Sequence, residues 1–211
     1  MSTKIKSRRT QERTELTRRK LLDAAIKIFS EQGFDGVSVR ELETAADVQR
    51  GLLAYHFQDK EGLWQAAADR TFSQLNEEVQ QRVEIMRDLA ARDRIAMLIR
   101  FYVRFSARHP EFSRLLTQEA RQHSWRIEYL VDHYINNIVN GMRGVVMAEL
   151  GLNDTQFIHW YYMLAGAAST IFSHAPECAL LYDVDSQTEA VVEGHAQMLV
   201  QMLMGVGDAK T

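Results

Sequence analysis

The sequence predicts an all-α protein, and three observations support this fold class. Most of the 211 residues lie in stretches whose apolar side chains recur every three or four positions, the spacing of one helix face. Residues that cap helices stand directly before several of these stretches. No stretch shows sustained alternation of apolar and polar residues bounded by hairpin turns, which would indicate a strand. We therefore expect about nine helices.

The first predicted helix covers residues 17–32. Gly33 follows it as a C-terminal cap, because glycine adopts the left-handed conformation that commonly ends a helix. The apolar side chains of this helix have the spacing of one buried face: Leu21, Leu22, Ala25, Ile28 and Phe29.

Two short helices are predicted next. Ser38 and Glu41 have the spacing of a capping box, so a helix should begin at Val39. Asp47 interrupts that helix, and aspartate tolerates the left-handed conformation that a tight turn needs. The second short helix is predicted over residues 49–57.

Longer helices should fill the rest of the chain. Asp59, Asn153 and Ser186 are expected helix caps, and Pro110 suits the first turn of a helix. The longer helices are predicted over residues 60–86, 92–108, 111–122, 125–150, 154–174 and 187–204.

Charge is distributed unevenly along this chain, whose formal net charge is −3. Residues 1–20 contain eight Lys and Arg against two Glu, whereas the part after residue 60 has more acidic than basic residues. A basic end on an acidic body is typical of a protein that meets phosphate at one end. A solvated basic tail gives the same pattern, so the arm alone leaves both interpretations open.

The second short helix has an unusual outward face. Val48, Leu53 and Phe57 are expected to point into the core, which leaves Gln49, Arg50, Leu52, Tyr55 and His56 outside. A folded domain gains little from exposing such side chains on so short a helix, whereas a DNA groove offers them partners. A helix-turn-helix places its second helix in the major groove, with residues near the helix start reaching base edges.

Each outward residue suits a particular DNA contact. Glutamine pairs with adenine and arginine with guanine, so Gln49 and Arg50 are expected to read bases. Gly51 lets the backbone approach closely, and Leu52 has the size to touch a thymine methyl group. The side chains long enough to reach phosphates are Tyr55, His56, Arg40 and Lys60. The alternative is a plain helical hairpin whose polar face is only hydrated.

Residues 17–63 closely resemble the TetR family of bacterial transcriptional regulators. The resemblance rests on Leu-Leu-Asp-Ala-Ala-x-x-x-Phe-x-x-x-Gly-Phe at 21–34, Ser-Val-Arg-Glu-Leu at 38–42, and Gly-Leu-Leu-Ala-Tyr-His-Phe-Gln-Asp-Lys-Glu-Gly-Leu at 51–63. It implies a basic arm and helix-turn-helix DNA-binding domain at residues 1–60, and a helical ligand-binding and dimerisation domain at 61–211. The family's DNA-contact positions fall on Arg40, Gln49, Arg50, Gly51, Leu52, Tyr55, His56 and Lys60, with Ser38 as a cap.

The resemblance also implies a function. The protein is expected to be a homodimeric repressor that binds double-stranded DNA at a pseudo-palindromic operator, under the control of a small-molecule effector. Three residues depart from the family pattern. Asp47 stands where glycine is frequent, Gln49 where serine or threonine is frequent, and Ala54 where tyrosine is usual, on the inner side of the recognition helix.

By the same resemblance, the helices after residue 60 enclose a small-molecule pocket, and ligand binding moves the fourth helix. His133 and Trp125 are the preferred pocket residues, because each places a polar group within an otherwise apolar stripe. Ordinary core packing is the alternative for every aromatic candidate. The candidates are Phe101, Tyr102, Phe105, Trp125, Tyr129, His133, Trp160 and Tyr161.

The helices near 154–174 and 187–204 are the expected homodimer interface. Residues 164–170, Leu-Ala-Gly-Ala-Ala-Ser-Thr, place small residues on one face, which allows two helices to approach closely, and intramolecular packing is the alternative. The apolar residues assigned to the interface on the last helix are Val191, Val192, Ala196, Leu199 and Leu203.

Other function classes find little support in the sequence. None of the seven histidines has a partner four residues away, and the motifs of zinc proteases, serine hydrolases and phosphate-binding loops are missing, so we expect no enzyme, metal or cofactor. Cys178, placed in a loop, is expected to be a passive thiol, with redox sensing as the alternative. The sequence has no secretory signal and no apolar run of membrane-spanning length, so a cytoplasmic protein without a membrane partner is expected. A protein-interaction module of the same fold remains a competing hypothesis.

Overall fold

The computed structural model describes the backbone of residues 2–205 and the side chains of residues 11–205. Within this part the chain is helical and contains no strand, which confirms the all-α prediction. A π-helical turn, Val131–Ile135, joins the seventh helix to the eighth. The helices are α1 (Ser2–Gln32), α2 (Val39–Ala45), α3 (Leu52–Phe57), α4 (Lys60–Ile85), α5 (Ala91–Arg108), α6 (Pro110–Glu119), α7 (Trp125–Leu130), α8 (Asn136–Leu150), α9 (Asp154–Ser173), α10 (Ala175–Tyr182) and α11 (Glu189–Met204).

The first hydrophobic core lies between α1, the two short helices and the start of α4. All five apolar residues predicted for α1 are buried in it, together with Leu42 of α2, Leu53 of α3 and Trp64 of α4. The same cluster continues into α6 and α7 through Leu115 and Leu130. The N-terminal unit therefore shares an apolar core with the helices that follow residue 60.

The second core joins α5, α8, α9 and α11. Ile99 and Val103 of α5 are buried against Leu199 of α11. The Trp160 indole N–H donates to the carbonyl of Leu203 across 3.2 Å, which ties α9 to the end of α11. These helices form the body of the molecule, and they enclose a cavity on their α4 side.

Most helix boundaries agree with the sequence prediction, but four differ. The first helix begins at Ser2 rather than residue 17, because residues 2–16 contain too few apolar side chains to show a periodic buried face. The second short helix begins at Leu52 rather than residue 49, because Gly51 at its N-cap has a left-handed φ of +86°. The predicted helix over 125–150 is interrupted by the π-helical turn. Cys178 lies in α10 rather than in a loop, and the periodicity missed this helix because none of its side chains is fully buried.

One predicted cap was also wrong. Ser186 does not cap the last helix: the N-cap is Thr188, whose side chain makes no capping hydrogen bond. Ser186 is buried instead, and its hydroxyl has no hydrogen-bond partner among the described residues. The caps predicted at Asp59 and Asn153 are confirmed, since each side chain accepts from an amide in the first turn of its helix. Pro110 occupies the first turn of α6 as predicted.

Candidate functional site

The beginning of α2 is fixed by local hydrogen bonds. The Ser38 hydroxyl accepts from the amide of Glu41 at 3.3 Å, and the Glu41 carboxylate accepts from the Ser38 amide at 2.7 Å. The Ser38 hydroxyl also donates to the same carboxylate at 2.7 Å, and this bond, together with the one from the Ser38 amide, holds the pKa of Glu41 below its ordinary value. The capping box predicted from the sequence is therefore confirmed, and it fixes the direction in which α2 presents Arg40 to solvent.

The beginning of α3 is fixed by a residue from the other helix. Glu43 of α2 is 4% exposed, and one of its carboxylate oxygens accepts from the amides of Gly51 at 2.8 Å and Leu53 at 3.1 Å. A carboxylate at a helix N-terminus satisfies amides that have no partner within the helix and is favoured by the helix dipole. Glu43 thus sets the position of α3 relative to α2. Sequence reasoning missed it because a glutamate eight residues before the amide that donates to it has no capping signature.

The turn between the two helices places its polar side chains outside. Gln49 and Arg50 are exposed and precede the first turn of α3, while Leu53 and Phe57 are buried beneath it, as predicted. Tyr55 is 74% exposed, a high value for an aromatic side chain.

Two residues expected on the outward face, unlike the exposed ones, are half-buried. Leu52 and His56 lie partly against the protein, and the His56 ring packs edge-on against Tyr55 with 5.0 Å between centroids. Partial burial, together with the charge of Arg18 on α1, lowers the pKa of His56 below its ordinary value. His56 is therefore biased towards its neutral form in the absence of an anion.

Lys60 is used inside the protein. Its ammonium group donates to the carbonyls of Phe34 and Val37, each at 3.0 Å, and lies 4.1 Å from the centroid of the Phe34 ring. The expectation that this side chain reaches a phosphate is therefore not supported by its contacts. It holds the loop between α1 and α2 against the start of α4.

The turn between α3 and α4 demands glycine. A Cβ at Gly62 would lie 2.2 Å from the carbonyl oxygen of Phe57, closer than any side chain permits. Gln58 in the same turn has a φ of +69°. This close approach keeps α3 against the first turn of α4.

Two of the departures from the family pattern are placed by the structure. Asp47 has the left-handed backbone expected from the turn, with φ 52°, and its exposed carboxylate pairs with Lys20 of α1 at 3.1 Å. Ala54 lies on the exposed face of α3, so its assignment to the inner side of the helix was wrong. Leu53 and Phe57 face the core, and Ala54 lies about 100° from Leu53 around the helix, which turns its methyl group towards solvent. Of the basic arm, the side chains of Lys4, Lys6, Arg8 and Arg9 lie outside the described residues.

A second candidate site is a cavity of about 380 Å³ bordered by α4, α5, α6, α8, α9 and the π-helical turn. Its lining is mainly aliphatic and aromatic. Four of the predicted pocket residues line it: Phe101, Tyr102, Trp160 and Tyr161. Burial raises the pKa of Tyr102 and that of Tyr161. A neighbouring tyrosine raises each pKa further, so both side chains stay protonated donors near neutral pH.

The other four predicted pocket residues lie elsewhere. Phe105 is buried in the first core, and Trp125 packs edge-on against Phe34 and Trp64 there. Tyr129 and His133 stack on each other outside the cavity, and the His133 ring is exposed. The two preferred residues, Trp125 and His133, therefore do not line this cavity: Trp125 packs among the aromatic rings of the first core, and the His133 ring is hydrogen-bonded to the carbonyl of Tyr129.

The π-helical turn connects the cavity with α4. Tyr134, which lines the cavity, and Tyr129 both donate to the same carboxylate oxygen of Asp69, each at 2.7 Å. Burial and the hydrogen bond to Asp69 raise the pKa of Tyr134 to about 12. Asp69 lies in the part of α4 that packs against α1, so the cavity wall and the support of the N-terminal unit share one hydrogen-bonded group.

A buried ion pair joins the two regions a second time. Glu119 of α6 accepts from the indole N–H of Trp64 at 3.2 Å and from the Arg126 guanidinium at 2.7 Å. The same guanidinium contacts Asp35 at 3.3 Å and lies over the Phe34 ring. Two elements of the larger region thus fix the loop that leads into α2. No sequence pattern pointed to this pair, whose members come from different helices.

The part of the chain that the structure describes contains no cluster of three or more His, Cys, Asp or Glu side chains that could hold a metal ion. Nor does any described helix combine the length and apolarity needed to cross a membrane.

Two family models match the chain. Residues 21–67 match the model described as bacterial regulatory proteins of the tetR family, and residues 92–203, more than half of the chain, match the model of the tetracyclin repressor-like C-terminal domain. The first match covers α2, α3 and most of the first core. The second covers the helices around the cavity other than α4.

Curated relatives match over part of their length. The chain is 39% identical over 82 residues to the transcriptional repressor AcnR of Corynebacterium diphtheriae, covering 37% of this chain and 43% of that protein. It is 31% identical over 110 residues to the transcriptional repressor NicS of Pseudomonas putida, covering 51% and 50%. The chain thus spans half or less of the length of these two relatives.

Solved structures share the fold at low sequence identity. A putative fatty acid metabolism regulator of Clostridium perfringens superimposes with a TM-score of 0.66 at 16% identity, covering 89% of this chain and 97% of that chain. The regulator FadR of Bacillus subtilis, in complex with stearoyl-CoA, gives a TM-score of 0.63 at 15% identity, covering 89% and 98%. Together with the two family matches, the helix order and the capped helix-turn-helix show that the chain belongs to the TetR family of bacterial regulatory proteins.

Proposed function

We propose that the protein is a DNA-binding transcriptional repressor that acts as a homodimer and responds to a small molecule. The observation that carries the proposal is the exposed face at the start of α3, where Gln49, Arg50 and Tyr55 project from a turn held by the buried Glu43 carboxylate. Side chains at this place in a helix-turn-helix reach base edges and phosphates in the major groove. A rigidly held polar face of this kind suits sequence-specific contact.

Each exposed residue has a distinct role in the proposed complex. Arg50 and Gln49 read bases, while Arg40, Tyr55 and His56 contact phosphates. Ser38 acts indirectly by capping α2, Gly51 lets the backbone approach, and Leu52 offers a partly exposed methyl surface. The Lys60 side chain is omitted because its ammonium group is bonded to two carbonyls.

The proposed homodimer uses exposed apolar side chains on the last helices. Tyr162 and Met163 of α9 and Met198 and Met202 of α11 are largely exposed, which is costly for an isolated chain. The interface residues predicted on α11 need correction: Ala196, Leu199 and Leu203 belong to the intramolecular core. A two-fold dimer through the opposite face would present two α3 helices to successive major grooves of a pseudo-palindromic site.

The proposed ligand occupies the cavity and acts through α4. Tyr134 lies at the cavity wall and its partner Asp69 lies on α4, so a ligand that displaces the tyrosine also changes the support of α1. A ligand shifts the equilibrium only by its differential affinity for the two arrangements. Movement of α4 would then alter the separation of the two reading helices.

Selection of genomic fragments by the purified protein tests the DNA-binding proposal. We expect recovery of a pseudo-palindromic site that binds far more tightly than random duplex at physiological salt, with an affinity that falls steeply as salt increases. Arg50→Ala should weaken binding to that site about 10- to 100-fold, the range expected for one lost base contact, while the fold is retained.

Arg87→Ala is the matched control, because Arg87 is an exposed arginine just beyond the end of α4 that is distant from α3. It should leave operator affinity unchanged. Equal affinity for selected and random DNA, or equal effects of the two substitutions, would contradict the proposed recognition.

Sedimentation of wild type and Met198→Glu tests the dimer separately, with a shift to monomer expected in the variant.

A further inference from the structure

The cavity contains a single charged residue among the described residues that line it. This residue is Arg94, in the first turns of α5. Its Nε atom is buried and has no hydrogen-bond partner among the described residues. A buried guanidinium N–H without a partner is costly, and a ligand that accepts from it would remove that cost.

The position of Arg94 follows from the pairing of α4 with α5. Arg108 contacts Glu78 at 3.1 Å, and the Arg82 guanidinium lies 3.9 Å from the centroid of the Phe101 ring. Later residues of α4 therefore pair with earlier residues of α5, so the two helices are antiparallel. Arg94 consequently lies towards the end of the cavity that is distant from α1.

The cavity is long as well as apolar. Its lining residues on α4 extend from Phe72 to Met86, about 21 Å at the helical rise of 1.5 Å per residue. With a volume of about 380 Å³, the space suits one extended chain better than a wide ring system. The wall at the end opposite Arg94 is aromatic, formed by Phe72, Phe112 and Tyr134.

An opening connects the cavity with solvent. Gln80 and Val83 of α4 and Asn137 and Gly141 of α8 line the cavity and are exposed. A ligand can enter between these two helices with its apolar part first. The other polar groups that line the cavity include the neutral phenols of Tyr102 and Tyr161, which can donate hydrogen bonds without adding charge.

We propose that the cavity binds an amphipathic molecule with an extended aliphatic chain and an anionic head group, and that Arg94 recognises the head group. Guanidinium groups bind carboxylates and phosphates through two parallel hydrogen bonds. The chain lies along α4 and reaches the aromatic end beside Tyr134. This assignment depends on the proposed function in one respect, because it takes the cavity to be the binding site of the effector.

Calorimetric titration of the full chain with matched probes tests the assignment. The probes are dodecanoate, dodecyl phosphate and 1-dodecanol, which share one chain and differ in the head group. We expect the better of the two anions to bind about 10- to 100-fold more tightly than the alcohol, and this anion identifies the head group. Arg94→Gln should reduce the difference to less than about threefold, and Arg94→Lys should retain part of it.

Arg100→Gln provides the matched control, because Arg100 lies on the same helix but does not line the cavity. It should leave the preference for the anion unchanged. Equal binding of all three probes to the wild type would overturn the role of an anionic head group, even if Arg94→Gln fails to fold. Absence of binding by every probe would overturn the aliphatic assignment.

Operator binding in the same samples separates this inference from the proposed function. If the anion binds in an Arg94-dependent manner and leaves operator affinity unchanged, the ligand assignment stands and ligand control fails. If operator affinity is present and insensitive to Arg94→Gln while no probe binds, DNA recognition stands and the ligand assignment fails.

Discussion

The turn between α2 and α3 and the apolar cavity are stabilised in different ways. The start of α2 and the turn between α2 and α3 are held by backbone amides that donate to the side chains of Ser38 and Glu43, so their geometry is set atom by atom. The cavity is bounded by apolar side chains from six segments, with few directional contacts among them. Directional bonds suit a surface that must match a fixed groove, whereas apolar walls can adjust to a ligand.

The junction between these regions combines both kinds of contact. Glu119, Arg126 and Trp64 form a hydrogen-bonded polar group inside an otherwise apolar core. Beside the cavity, the Asp69 carboxylate accepts hydrogen bonds from two tyrosine hydroxyls. A buried polar group is stable only when its partners are correctly placed. The junction is therefore the place where a shift of the cavity wall would affect the DNA-binding unit.

The largest expected effect comes from the buried ion pair. Arg126→Met should lower the free energy of unfolding by about 3–5 kcal/mol, because it leaves the Glu119 carboxylate buried without its cation. Denaturant titration measures this change. Arg143→Met removes the exposed pair with Asp154 and should cost only about 0–1 kcal/mol. Similar losses in both variants would show that the junction has no special role.

The next effect concerns the turn itself. Glu43→Ala leaves the amides of Gly51 and Leu53 without their acceptor and should cost about 1–3 kcal/mol of stability. Operator affinity should fall further than stability alone requires, because α3 loses its fixed position. Glu43→Gln keeps one acceptor oxygen and should retain most of both properties. Glu77→Ala, at an exposed position of α4, is the control and should match the wild type.

A smaller effect is expected at the cavity wall. Tyr134→Phe removes one hydrogen bond to Asp69 and should cost about 0.5–1.5 kcal/mol near neutral pH. The pKa of Tyr134 is raised from about 10 in the unfolded chain to about 12, so its contribution is complete below pH 10 and is lost as the pH rises through about 12.

Alkaline unfolding measures that loss. The wild type should lose more stability than Tyr134→Phe between pH 10 and about 12. Parallel pH profiles for the two proteins would indicate that the bond to Asp69 contributes nothing.

The smallest effect belongs to His56 on the DNA-facing side. Partial burial and Arg18 lower its pKa, so protonation favours the unfolded chain, and stability should decline as the pH falls below the ordinary value of about 6.5. The side chain is only partly buried, so the decline should be less than about 1 kcal/mol. Unfolding midpoints at about pH 7.5 and about pH 5.5 should differ less in His56→Gln. An unchanged difference would contradict this assignment.

Much of the DNA-facing unit was predictable because its signals are local. Ser38 and Glu41 are three residues apart, and Asp47 is a residue type that tolerates the turn it occupies. The start of α3 was predicted three residues early, since periodicity does not reveal the left-handed glycine at its N-cap. Lys60 was expected at the DNA surface because its type suits phosphate, but the carbonyls that bind it come from residues 23 and 26 positions away.

The cavity was harder to predict. Helical periodicity indicates which residues are buried, but it does not distinguish Trp125 from Trp160. Trp125 lies in the first core, whereas Trp160 lies beside the cavity. Whether a buried residue lies in a core or lines a cavity depends on which helices diverge from one another. That divergence is decided by packing between segments that are distant in the sequence. Arg94 escaped notice because an arginine near the start of a helix usually lies on its solvated face.

The sequence by itself determined the all-α class, the capped short helices, the family resemblance and most helix boundaries. Each of these depends on residues within a few positions of one another, where backbone preferences and side-chain hydrogen bonds act. Only the tertiary structure decided that Glu43 holds α3, that Lys60 faces inward, and that Arg94 is the charged residue of the cavity. These facts depend on contacts between helices, and such contacts form only when the whole set of apolar faces packs together.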